Sequence, residues 1–198
     1  MRNLNVVGAM GIAILVGLLS VEASAATRFG AKLTDETFPS NAGKGHECVD
    51  KTTDCTWVMM QAFGRPDKGY KAPKDGEIGR VRLVSCYKGE FQLQLARANN
   101  NTDEGRVVRD GPVIKFKADS NKCDGQTYDV QTIELKKPLQ VKKGDQLAIR
   151  TPKTTILRCD SGGDKILLFA PPLVAGESPR PALDGDGCWL LLEAEYDD

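Results

Sequence analysis

Hydrophobic side chains recur with period two along much of the chain, and the clearest run is Ile133 to Arg150. There Ile133 and Leu135, Leu139 and Val141, and Leu147 and Ile149 are spaced like the inward-facing residues of strands, each pair set off from the next by charges or turn formers. The segment predicts strand, kink, strand, turn, strand. Lys143-Gly144-Asp145 supplies the turn, because glycine accepts a positive φ and aspartate can bond its own local backbone.

The same pattern continues on both sides. Short strands are expected at Thr27 to Leu33, Arg80 to Val84, Phe91 to Arg97, Val113 to Ala118, Thr154 to Arg158 and Ile166 to Phe169. Thr56 to Phe63 is apolar on both faces, as in a strand covered from two sides, and Cys188 to Tyr196 starts that way before it alternates. Between them lie segments rich in turn residues. The longest are Gly64 to Gly79, which carries Lys68, Lys71 and Lys74, and Ala98 to Gly111, which carries the Asn100-Asn101-Thr102 sequon. No amphipathic helix longer than a turn or two is legible. About nine or ten strands separated by turn signals predict an all-β, antiparallel β-sandwich of jelly-roll-like form.

The first residues change the compartment. Met1-Arg2-Asn3 precedes an uncharged run from Leu4 to Val21, and Ala23-Ser24-Ala25 offers the small-x-small pattern of a cleavage site, so residues 1–25 read as a signal peptide and 26–198 as one exported domain. A retained membrane anchor is the competing reading of that run. No second apolar segment approaches the length of a membrane span. The 27 basic and 27 acidic side chains cancel, which argues against nucleic acid as a partner.

Six cysteines in an exported domain read as three disulfides. Zinc spacing is absent, with no Cys-x-x-Cys pair and His46 as the single histidine. Cys48 and Cys55 bracket a local loop. If Phe91 to Arg97 and Val113 to Ala118 form a hairpin, Cys86 and Cys123 lie at its open end, and Cys159 and Cys188 lie at adjacent ends of two later strands. The expected bridges are therefore Cys48–Cys55, Cys86–Cys123 and Cys159–Cys188, ranked first among fifteen connectivities.

Several local motifs are familiar as a set. Cys55-Thr56-Trp57-Val58, then Ala72-Pro73-Lys74-Asp75-Gly76-Glu77-Ile78, then the alternating strand at Phe91, and finally Pro138-Leu139-Gln140-Val141 with Lys143-Gly144-Asp145-Gln146-Leu147-Ala148-Ile149 resemble a group of secreted bacterial β-sandwich proteins of uncharacterised function. The resemblance spans most of the mature chain. It implies fold and export and carries no catalytic residues across.

Candidate chemistry is sparse. His46 sits in a glycine-rich loop and reads as solvated, and Ser161 lacks the surroundings of a nucleophile elbow, so no catalytic residue is assigned. Asp184-Gly185-Asp186-Gly187 offers calcium the oxygen ligands Asp184 and Asp186 but no distal glutamate at the required spacing, and plain turns explain it more simply. For binding, Tyr87 and Tyr128 lie in loops near the expected Cys86–Cys123 bridge, where sugar rings could stack beside Asn121 and Asp124; the alternative is that the tyrosines pack over their own loops. Lys136, Lys137, Lys142 and Lys143 make the Ile133 to Arg150 segment basic on its outer positions, which suits an anionic envelope polymer and equally suits edge protection. The expected function is a non-catalytic exported module that binds or structures something at the cell surface, with polysaccharide or another cell-envelope component as the candidate partner. The alternative is a secreted carbohydrate-active hydrolase using a carboxylate pair. A purely structural or toxin-like surface protein is a further reading.

Overall fold

In the computed structural model the described residues are 26–34, 46–48, 54–65, 68–120, 128–151, 154–155 and 166–197. The expected signal peptide, Cys123 and Cys159, and Ser161 lie outside them. The strands are β1 (Arg28–Gly30), β2 (His46–Glu47), β3 (Cys55–Met59), β4 (Gly76–Leu83), β5 (Gly89–Asn99), β6 (Glu104–Phe116), β7 (Gln131–Val141), β8 (Gln146–Thr151), β9 (Thr154–Thr155), β10 (Ile166–Phe169), β11 (Arg180–Pro181), β12 (Asp184–Asp186) and β13 (Leu192–Tyr196). No helix occurs among the described residues, and none there is long and apolar enough to cross a membrane.

Four strands form one antiparallel sheet in the order β1-β13-β4-β7, seven form another in the order β11-β6-β5-β8-β3-β10-β12, and β2 pairs with β9. The period-two pattern explains the core between the two large sheets. Phe91, Leu93 and Leu95 from β5 meet Ile78, Val81 and Leu83 from β4 and Leu192, Ala194 and Tyr196 from β13 in one buried cluster. Ile78 and Val81 have opposite parity, yet both face inward because β4 carries an extra residue, Gly79, where its two steps from Ile78 to Arg80 match one step along β13, from Tyr196 to Glu195. Trp57, Met59, Leu147 and Ile149 complete the same core.

The outer face of the seven-stranded sheet is also apolar. Val58, Ala96, Val107, Ala148, Leu167 and Phe169 form a second cluster that Leu173 covers. Beneath it, buried Gln94 accepts from the Thr56 hydroxyl at 3.1 Å and donates to Asp110 at 2.7 Å, and Thr56 Oγ1 accepts from the Leu173 amide at 3.1 Å. These bonds satisfy polar groups that would otherwise be costly to bury.

Asp184–Asp186, expected as a turn, is strand β12, and β3, expected to run to Phe63, ends at Met59. Three further differences from expectation bear on the core. Ala98 to Gly111 is mostly strand, because β5 runs to Asn99 and β6 starts at Glu104. Only residues 100–103 turn, with Asp103 at φ 52°. The charges in Glu104 to Asp110 hide two buried positions, Gly105 and Val107, and Gly105 makes room for Phe169, whose ring would lie 2.7 Å from an added Cβ. Second, β4 begins at Gly76, inside the expected loop. Third, the last strand is Leu192–Tyr196, so Cys188 precedes it, and it lies between β1 and β4.

The Cys48–Cys55 bridge is present, with Cα atoms 5.9 Å apart. Cys86 and Cys188 are each disulfide-bonded as well. Their expected partners, Cys123 and Cys159, fall outside the described residues.

Candidate ligand-binding site

The outer face of the four-stranded sheet is built on charge. Along β13, Leu192, Ala194 and Tyr196 point to the core, and the alternate residues Glu193 and Glu195 point away from it, yet they are only 1% and 2% exposed. Arginines cover them. Glu193 accepts from Arg65 and Arg82, each at 2.5 Å, and Glu195 accepts from Arg28 at 2.7 Å and Arg80 at 2.6 Å. Arg28, Arg80 and Arg82 sit on the flanking strands β1 and β4, opposite or next to the glutamates in register. Arg65 arrives from the loop that follows β3. Two carboxylates thus hold four guanidiniums, an arrangement that satisfies the buried acids and leaves excess positive charge on this face. Glu134 offsets part of it, 3.3 Å from Arg80.

The Arg65 loop is fastened back onto the sheets on both sides. Arg65 Nε donates to the Gly30 carbonyl at 2.9 Å, the Gly30 amide donates to the Gly69 carbonyl at 2.9 Å, and the Lys32 amide donates to the Phe63 carbonyl at 2.7 Å. Gly30 is required there. Its φ is +93°, and a Cβ would stand 2.5 Å from the Leu192 carbonyl oxygen. On the other side, the Ala72 amide donates to the Asp145 carbonyl and the Gly144 amide donates to the Ala72 carbonyl, both at 2.8 Å. This second clasp is the β7–β8 turn anticipated in the sequence, with Gly144 at φ +88°. Asp145 is buried and faces away, accepting from Arg97 at 2.8 Å and from the Lys142 amide at 2.9 Å.

Between the two clasps is a pocket of about 380 Å³. The described residues lining it include Arg28, Arg65, Lys68, Lys71 and Lys143 and no carboxylate. Pro66 and Asp67, in the same loop, lie outside the described residues. Glu193 and Glu195 lie under Arg65 and Arg28, and Asp75 accepts from the Lys143 amide at 2.7 Å. Lys68, Lys71 and Lys143 have no ion pair among the described residues; the Lys71 ammonium stands 5.2 Å from the Tyr70 ring centroid. Nearby, burial raises the Tyr196 phenol above its usual range, and its hydroxyl donates to the Lys74 carbonyl at 2.7 Å. Chemically, the pocket is a fixed concavity lined with cation donors, suited to carboxylate, sulfate or phosphate groups.

The sequence-predicted tyrosine site lies elsewhere. Tyr87 is 55% exposed, and Tyr128 packs against Ala31, Leu33, Val84 and Leu191. The loops that carry them are joined: the Asp119 amide donates to the Ser85 carbonyl at 3.0 Å, and the Asp129 amide donates to Asp119 at 2.8 Å. Hydrogen bonds from Ser120 hold the Asp129 carboxyl below its ordinary range. Asn121 and Asp124 lie outside the described residues. Asp184 begins the edge strand β12 and accepts from the Gly185 amide at 2.9 Å, and nothing is described for the Asp186 side chain. No group of three or more His, Cys, Asp or Glu is gathered as a metal site among the described residues.

Sequence reasoning noticed Lys68, Lys71 and Lys143 separately and missed Arg28 and Arg65. A usable signal was present, since Arg80 and Arg82 and then Glu193 and Glu195 each alternate with period two and so predict oppositely charged faces that can pair across strands. Comparison with protein-family models, with curated proteins and with solved structures returns no match.

Proposed function

We propose that the chain is an exported, non-catalytic binding module of jelly-roll sandwich type, which captures an anionic component of the cell envelope or an acidic polysaccharide. The observation that carries this reading is the convergence of five cationic side chains from β1, the Arg65 loop and the β7–β8 turn on one pocket, in a chain of zero net charge. Lysines placed only for solubility or edge protection would scatter over the surface and would not line a loop fastened at both ends.

The strand order supports the jelly-roll part. With β1, β3, β4, β5, β6, β7, β8 and β13 taken as eight core strands in chain order, the first, eighth, third and sixth share one sheet and the second, seventh, fourth and fifth share the other. Export rests on the amino-terminal apolar run with its Ala-x-Ala site and on the disulfides. The exposed Tyr87 would serve in this reading as an accessory stacking surface for sugar rings. Hydrolysis is less well supported, because Asp110 and Glu134, which line a cleft together, are already held by Gln94 and Arg80.

The test is retention of the mature domain on immobilised polygalacturonate and on neutral dextran. Saturable retention on the acidic polymer alone, weakening steeply with added salt and lost in the Lys68→Glu/Lys143→Glu variant, is the expected result. Equal retention of that variant, or release of new reducing ends, would overturn the reading.

A further inference from the structure

A second concavity lies where the two large sheets part company at their edges. β7 is the last strand of its sheet, and β6 is uncovered beyond Gly105, where β11 stops pairing with it. Both strands bulge at facing places. Two steps along β5, from Gln92 to Gln94, span three along β6, from Val113 to Asp110. Two steps along β4, from Ile78 to Arg80, span five along β7, from Leu139 to Glu134. The extra residues include Gly111 and Pro112 on one lip and Leu135 to Pro138 on the other. Bulges re-aim side chains and end pairing, and they cluster beside functional sites.

The cleft between these lips has a volume of about 710 Å³, within the range of small-molecule sites. Val113, Ile114, Ile133, Leu135 and Leu139 make its walls apolar, and Val113 is left 56% exposed at the mouth. Its floor is closed where Gly111 meets Leu139, 2.9 Å from an added Cβ. Such a surface attracts apolar matter, and the edges limit its form. Strand addition requires a run of free amides, whereas Pro112 and Pro138 have none and the intervening residues are bulged. An aliphatic chain makes no such demand.

The rim adds a sign. Asp110 accepts from Gln94 at 2.7 Å, Glu134 lies 3.3 Å from Arg80, and Lys115 lies 3.5 Å from Glu90. Lys136 and Lys137 line the cleft and make no ion pair among the described residues. Gln94 is neutral, so the Asp110 charge stands against the two of Lys136 and Lys137, and the balance at the cleft is one positive charge, carried by the lysine pair.

We propose that this cleft binds one long-chain fatty acid, its tail between Val113 and Leu135 and its carboxylate at Lys136 and Lys137. The ligand and the residues differ from those of the basic pocket, so each proposal can fail alone.

The mature protein is titrated with cis-parinaric acid, and palmitate is then used as competitor. Saturable one-to-one binding, displaced by palmitate and at least tenfold less well by methyl palmitate, is expected. Lys136→Glu/Lys137→Glu should weaken binding about tenfold, the loss of roughly one charge-assisted contact, and leave polygalacturonate retention unchanged. Val113→Glu, at an exposed site, should abolish parinarate binding while the thermal unfolding midpoint stays near that of the parent. If Val113→Glu unfolds the protein, the lysine variant decides. No saturable binding, equal displacement by the methyl ester, unchanged affinity in the lysine variant, or binding only to phospholipid vesicles would each overturn the proposal.

Discussion

Around Lys71 the chain leaves its sheets and is fastened back by backbone hydrogen bonds to Gly30 on one side and to Gly144 and Asp145 on the other. At the cleft, β6 near Val113 and β7 near Leu135 stay in their sheets and only loosen, through facing bulges on two strands whose outer edges are unpaired there. The first concavity depends on a positive-φ glycine and on guanidiniums tied to buried carboxylates. The second depends on missing pairing and on side chains only partly covered. A pocket that must hold several like charges close together needs its backbone fixed, because mutual repulsion would otherwise spread them. An apolar cleft has no such repulsion to resist and can form where pairing merely stops.

This contrast makes unequal demands on stability. The largest expected effect is at Glu193. Its replacement by alanine leaves Arg65 and Arg82 without their shared acid over a buried site, and urea denaturation should show a loss of about 3–5 kcal/mol. A loss below about 1 kcal/mol would mean that the ion cluster is decoration, and the contrast would collapse. Smaller effects follow from covalent geometry and packing. Gly30→Ala should cost about 3 kcal/mol, since both its backbone conformation and the Leu192 carbonyl exclude a side chain. Leu135→Ala, on the half-covered lip of the cleft, should cost only about 1 kcal/mol. Reversal of that order would contradict the idea that one region is pinned and the other merely open.

Much of the scaffold was legible in the sequence. The Ile133 to Val141 pattern with Pro138 predicted a kinked strand, and the kink is the bulge between Glu134 and Leu139. The Gly144-Asp145 turn appears where glycine and aspartate require it. The Ala98 to Gly111 segment misled because its inward positions are few and small, and its charges resemble those of a solvated loop. The basic pocket was harder still. Its residues come from positions 28, 65, 68, 71 and 143, three chain segments whose nearness is set by long-range pairing. Lys68 and Lys71 could be seen as a basic loop, but only the clasps at Gly30 and Ala72 bring Arg28 and Lys143 to face them. Glu193 and Glu195 read as solvent-facing by alternation, and they are buried because arginines lie over them.

The central claim is the place at which an anionic polymer docks. Brief acetylation of the mature protein with and without polygalacturonate, read lysine by lysine by mass spectrometry, tests it directly. The account predicts protection of Lys68, Lys71 and Lys143, with Lys136 and Lys137 labelled as in the free protein. Protection centred on Lys136 and Lys137, or spread evenly over all lysines, would contradict it.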